Sequence, residues 1–185
     1  MSYPHHLHHS PRRCGTASAP GRQLIEIIFL KPEIKHDIQS EITTIERMRK
    51  MQDTPILSND DTDSYTVSRQ IDSAVNSAVS RCQAYLLLPS PSVHRISANH
   101  VMGWEEKSIY LAMPMNWPAH NLDALRDAVH TYIVKAVVFH LLSIAIPGDP
   151  YLSVCMEQRE NAYNQINRYL SSRLGGVRIH PTFLG

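Results

Sequence analysis

The segment from about Asn121 to Ile146 constrains this chain more than any other. Its second half, "YIVKAVVFHLLSIAI", is apolar nearly all round. A helix without a polar face has to be surrounded by other elements. Leu122, Leu125, Ala128, Val129, Tyr132, Ile133, Ala136, Val137, Phe139, His140, Leu141 and Ile144 make a surface wide enough for several neighbours. The pattern predicts a central core helix. Asn121 is placed at its N-cap, with Asp123 in the first turn, facing the positive end of the dipole. Lys135 and His140 interrupt the run before it reaches the ~18–20 apolar residues that a bilayer needs, so no membrane span is expected.

Three further helices supply the neighbours. In "KPEIKHDIQSEITTIERMRKMQ", Pro32 suits a first helical turn, and Ile34, Ile38, Ile42, Ile45 and Met48 recur on one face. In "IDSAVNSAVSRCQAYLLL", Ile71, Ala74, Val75, Ala78, Val79, Cys82, Tyr85 and Leu86 form one buried stripe. Asp72, Asn76 and Arg81 fall on the polar side, and Pro89 ends the helix. A last helix from about Tyr151 to Leu174 places Leu152, Cys155, Met156, Ala162, Tyr163, Ile166, Tyr169, Leu170 and Leu174 together. Gly175 and Gly176 stop it.

The remaining segments are extended or turn-rich. "LIEIIFL" (24–30) reads as a strand or an extended arm. Residues 53–64 are an acidic linker. Its Asp60, Asp61 and Asp63 lack the Gly and Glu that a calcium loop requires. Residues 92–116 look like a β-hairpin, or two short strands, inserted between helices, with "SVHRISAN" and "KSIYLAMPM" flanking a turn. Trp104 near its tip and Trp117 at its base are placed either on a contact surface or against their own helices. The expected fold is therefore mostly α: a small bundle of about four helices with an inserted β-hairpin. Residues 1–22 form a low-complexity N-terminal arm, 23–176 the helical domain with the hairpin at about 90–118, and 177–185 an extended C-terminal tail.

Chemistry is sparse. Net charge is +1, which gives composition no case for wholesale nucleic-acid binding. Cys14, Cys82 and Cys155 lie far apart with no CxxC, and this reads as reduced thiols. The N-terminus has no apolar core of a secretory signal. His5, His6, His8 and His9 could hold a metal, but no ordered scaffold surrounds them. His130 and His140 stand ten apart, too far for helix-borne zinc. Nucleophile elbow, phosphate-binding glycine loop and paired carboxylates are all missing. No catalytic residue, metal or cofactor is expected. Interest shifts to the ends. Arg12, Arg13 and Arg22 make the arm basic. Val177 and Ile179 alternate in the tail, with Phe183 and Leu184 beyond, and such a tail suits addition to a neighbour's sheet edge.

The order of pieces resembles a family. "IDSAVNSAVSRCQAYLL" is similar to the helix of tailed-bacteriophage head–tail connector proteins, in which alternating Ala and apolar residues precede a Tyr-Leu, here Tyr85 and Leu86. A core helix follows (Ala128 to Leu142). After a Pro-containing turn comes "RENAYNQINRYLSSRLGG", whose Ala162, Tyr163, Ile166, Leu170 and Gly175 resemble that family's ending. The likeness covers roughly residues 65–88 and 121–176. It lies in helix sizes and small residues rather than in chemistry. The low-complexity arm, the first strand and the enlarged hairpin depart from the family's pattern.

The resemblance implies a structural, non-enzymatic virion protein of the phage neck, made in the bacterial host cytoplasm. Copies would form a ring, typically of twelve, that joins the portal protein to the adjacent neck or tail protein. Packaged DNA would pass through the ring without sequence-specific recognition. Trp104, Trp117, Val177, Ile179, Phe183 and Leu184 would then be protein contacts, and Arg12, Arg13 and Arg22 arm or DNA-channel contacts. The rival expectations are another virion assembly or tail-completion protein, and a helical regulator that binds one protein partner.

Overall fold

The computed structural model describes residues 21–49, 56–57, 61–86 and 106–174. The calls on His5, His6, His8, His9, Arg12, Arg13, Cys14, Trp104, Val177, Ile179, Phe183 and Leu184 lie outside these residues. Among the described residues are four α-helices and one two-stranded antiparallel sheet. The chain begins with strand β1 (Arg22–Leu30) and passes directly into helix α1 (Lys31–Arg49). Helix α2 (Asp61–Arg81) follows, then strand β2 (Glu106–Pro114), α3 (Leu122–Ala145) and α4 (Tyr151–Ser171). The mostly helical architecture is the one expected.

α3 is the centre. It packs against α4, α2, α1 and β1. Its buried residues run from Leu125 through Val129, Ile133 and Val137 to Leu142, covering most of its circumference. By length and composition α3 would suffice to cross a membrane, yet half of its most apolar window is buried inside the protein. α1 contributes Ile34, Ile38, Ile42 and Ile45; α2 contributes Ile71, Ala74, Val75 and Ala78, and Cys82 follows just past its end. α4 adds Cys155, Ala162, Ile166 and Leu170. Each fully buried Ile or Leu stabilises the fold by about 1.5–3 kcal/mol, so the four stripes together hold the bundle.

The sheet differs from the expected hairpin in its partner. "KSIYLAMPM" is a strand, but it pairs with β1 along nine residues, from Arg22 opposite Pro114 to Leu30 opposite Glu106. The expected first arm of a local hairpin, residues 92–99, lies outside the described residues. The physical reason is burial. Ile25, Ile27 and Phe29 form one apolar face of β1, and Ile109, Leu111 and Met113 form the matching face of β2. Pairing the two strands puts both faces against the helices in a single layer. An isolated bridge from Leu86 to Leu111 ties the end of α2 to this sheet.

Several local expectations change. Met48 and Ile144, placed on buried stripes, are 61% and 67% exposed, because each sits in the last turn of its helix, past the packed neighbours. Met156 and Leu174 are exposed as well. α2 stops at Arg81, and a 3-10 turn (Gln83–Tyr85) carries the chain onto the sheet. Asn121 occupies the N-cap position of α3 but makes no side-chain capping bond. The chain enters through a 3-10 turn (Ala119–Asn121), which gives Asn121 helical angles. Asp72, assigned to the polar side of α2, is buried beside Lys31.

Candidate interaction surface

Among the described residues, the helices cover one face of the sheet. Residues of β1 alternate, so 25, 27 and 29 point inward while 22, 24, 26, 28 and 30 point outward. In most half-buried strands the outward set is polar. Here it includes Leu24, Ile28 and Leu30, exposed to 44%, 44% and 46%. Tyr110 of β2, opposite Glu26, adds a half-exposed aromatic ring. Glu26 is the single acid inside the β1 run, and Glu106 lies opposite Leu30. The outer face thus carries an apolar strip with Arg22, Glu26 and Glu106 along it.

One end of this sheet is a junction. Gln23 Nε2 donates to the carbonyl of Pro114 at 3.0 Å and to that of Trp117 at 2.7 Å. The Trp117 indole Nε1 donates to the Tyr169 carbonyl of α4 at 2.7 Å. The Leu174 amide donates to the Asn116 carbonyl, also at 2.7 Å. Arg22, at the start of β1, and Leu174, just past α4, therefore meet the same short turn after β2. Both terminal segments are joined to the body at this end.

These contacts correct one expected contact residue, Trp117, and the place of another, Arg22. Trp117 is 2% exposed and lies in this chain's own core, where its one polar atom is satisfied, so it is a structural residue. Arg22 belongs to the sheet rather than to a free arm. The outward residues Leu24, Ile28, Leu30 and Tyr110 were missed. A period-two reading of "LIEIIFL" holds the signal. It yields Ile25, Ile27 and Phe29 on one side and Leu24, Ile28 and Leu30 on the other, so both faces are apolar.

The titratable groups are used in holding the elements together. Lys31 Nζ lies 3.6 Å from Asp72 Oδ2, with both side chains nearly buried. Burial lowers the Lys31 pKa, and Asp72 opposes that shift. Lys107 donates to Asn76 Oδ1 at 3.2 Å; its pKa is also lowered by burial and supported by Asp72. On the other flank a polar seam links α1 to α3 and α4. His130 Nε2 lies 2.8 Å from Asp37 Oδ2. Lys135 donates to Glu41 at 2.6 Å, and the Tyr151 hydroxyl donates to the same oxygen at 3.2 Å. Burial, with Glu41 second, pushes Tyr151 up to about 12. Burial raises the Cys82 and Cys155 thiols to about 11, which makes both poor nucleophiles at neutral pH. His140 is half-buried on α3. No group of three or more His, Cys, Asp or Glu gathers in metal-binding fashion among the described residues.

Comparison with known proteins returns no match to a family model, a curated protein or a solved structure.

Proposed function

We propose that this chain is a structural subunit of a tailed-phage neck, forming an oligomeric ring that joins the portal to the tail and extends the DNA channel. The observation that carries the reading is the outer face of the sheet. Leu24, Ile28, Leu30 and Tyr110 form an apolar strip that runs along the sheet from beside the junction of Gln23, Trp117 and Leu174 to the start of α1. Contiguous apolar patches of this kind mark surfaces that other molecules cover. The order of helices, with α3 central and a short Pro turn into α4, supports the resemblance to connector proteins.

In this role the four helices keep the subunit rigid while its surface and its ends make the contacts. Side-to-side contacts between copies close into a ring when their rotation allows it. The test is incubation of the purified chain with portal rings from the genome that encodes it, followed by electron microscopy and native mass spectrometry. The expected result is a ring of added density on the portal. Monomers alone, with and without portal, would overturn the reading. Stoichiometric recovery of one host protein without assembly would favour the regulator instead.

A further inference from the structure

We infer that the open backbone edge of β1 takes up the C-terminal segment 177–185 of a second copy as an added strand. The inference rests on the oligomeric part of the reading above and deepens it by naming the contact between copies.

The open edge follows from one residue. Arg22 stands opposite Pro114 in the antiparallel register. Opposite residues alternate between pairs that exchange two backbone hydrogen bonds and pairs that exchange none. Pro114 has no N–H, so its pair is of the second kind. The bonded pairs are then those of Gln23, Ile25, Ile27 and Phe29. The N–H and C=O groups of Leu24, Glu26 and Ile28 point away from β2. Among the described residues, nothing bonds to these groups. The opposite edge of the sheet is engaged, since Leu86 bridges Leu111 there. A row of unpaired backbone groups is a template for another strand.

The tail matches that template. "VRIHPTFLG" has nine residues, as β1 has, and each spans ~30 Å when extended. Val177, Ile179, Pro181 and Phe183 alternate with Arg178, His180 and Thr182. A proline fits an edge strand only where its nitrogen faces away from the ladder. Pairing to β1 therefore falls to Arg178, His180 and Thr182. In an antiparallel pair these residues lie on the same side as Leu24, Glu26 and Ile28, which face outward. The apolar set then lies on the side that the helices cover. Parallel pairing would turn Arg178 and His180 inward instead, so the added strand is antiparallel.

The root of the tail points to a second copy. Arg173 Nη2 donates to Tyr85 Oη at 3.4 Å, and the next residue, Leu86, sits on the edge of β2 away from β1. The tail thus leaves on the β2 side, while the open edge lies on the β1 side. Within one chain the crossing takes three strand spacings, ~14 Å, whereas Leu174 to Val177 reaches ~11 Å at full extension. A chain's own tail would spend its first residues on the crossing. A neighbour's tail keeps all nine. Donor root and acceptor edge differ, so the contact is heterologous, as a ring requires.

The test reads amide exchange residue by residue, by NMR, on the full-length chain. Ile25 and Ile27 amides should be slow at every concentration. Leu24, Glu26 and Ile28 amides should exchange fast in dilute protein and slow at least about tenfold in concentrated protein. Equal protection of all five in dilute monomer would place the chain's own tail on the edge and overturn the inference. Fast exchange of those three at high concentration would overturn it too. Two full-length variants test the pairing. Ile28→Pro removes an N–H from the open edge and none from the ladder with β2. Arg178→Pro with Thr182→Pro removes two from the tail. In sedimentation equilibrium each variant alone should stay monomeric. Their equimolar mixture should form a one-to-one dimer and grow no further, at least about tenfold tighter than either variant with itself. Self-association of either variant at wild-type strength, or a monomeric mixture, would overturn the inference. Should Ile28→Pro melt early, the exchange pattern of the unaltered chain decides. Rings formed on the portal by the tail variant remove this contact and leave the neck reading standing. One-to-one dimers on mixing, beside a wild-type chain that adds nothing to the portal, do the reverse.

Discussion

Lys31 and Asp72 meet where β1 ends and α1 begins, with both side chains nearly out of water. Asp72→Ala would leave the Lys31 ammonium buried without its nearest carboxylate. Removing one partner of a buried pair is far worse than replacing both, so the loss should be about 3 kcal/mol in urea unfolding. The double variant Lys31→Met with Asp72→Leu should lose less than Asp72→Ala. The thiols make a second prediction at this scale. The unfolded chain releases the Cys82 and Cys155 protons near 9, while the folded chain keeps them to about 11. Stability is full below pH 9 and falls as pH rises toward 11. Lys31 and Lys107 act in the opposite sense, since the folded chain sheds their protons first. Comparison with Cys82→Ala cancels the lysine contribution. The variant should lose less stability than the wild type between pH 9 and 11, by about 2 kcal/mol at ~1.4 kcal/mol per pH unit.

Within a helix, the middle and the ends obey different rules. Val75 is fully buried at the centre of the α2 stripe, so Val75→Asp should leave the chain without a cooperative melt. Met48→Gln, at a position on the same sequence period as four buried isoleucines, should change stability by under ~0.5 kcal/mol. Circular dichroism melts of both variants check the pair. The contrast shows what a periodic pattern contains. Spacing reveals which residues share a face, and it found the stripes of α1, α2 and α4 and the core of α3. It does not reveal where the neighbouring element stops, so Met48 and Ile144 looked buried. Pairing was hidden for a related reason. "LIEIIFL" and "KSIYLAMPM" each read as strands, but nothing local in either names its partner across two intervening helices. Trp117 illustrates a third limit. An indole between two prolines looks like a surface group until the Tyr169 carbonyl is found beside it. The candidate surface was legible only in part, since an apolar outward face and an apolar inward face give the same run of letters.

At the scale of the molecule, the body is built around one helix. α3 touches α1, α2, α4 and β1, so no sub-global opening that keeps the core can expose it. Amides from Val129 to Leu142 should exchange last in hydrogen-exchange mass spectrometry, at rates set by global unfolding. If β1 amides proved equally slow, the sheet would belong to the same cooperative unit. The separation of the two strands has its own consequence, and it falls during synthesis. Gln23 precedes its partner Pro114 by 91 residues. At ~5–20 residues per second, about 5–18 s pass before β2 can emerge to pair with β1. For that interval a strand that is apolar on both faces is present on the ribosome without its mate. Such a segment is prone to stack on copies of itself, and one charge within it is the usual safeguard. Glu26 fills that position, so its first task comes before the protein has folded.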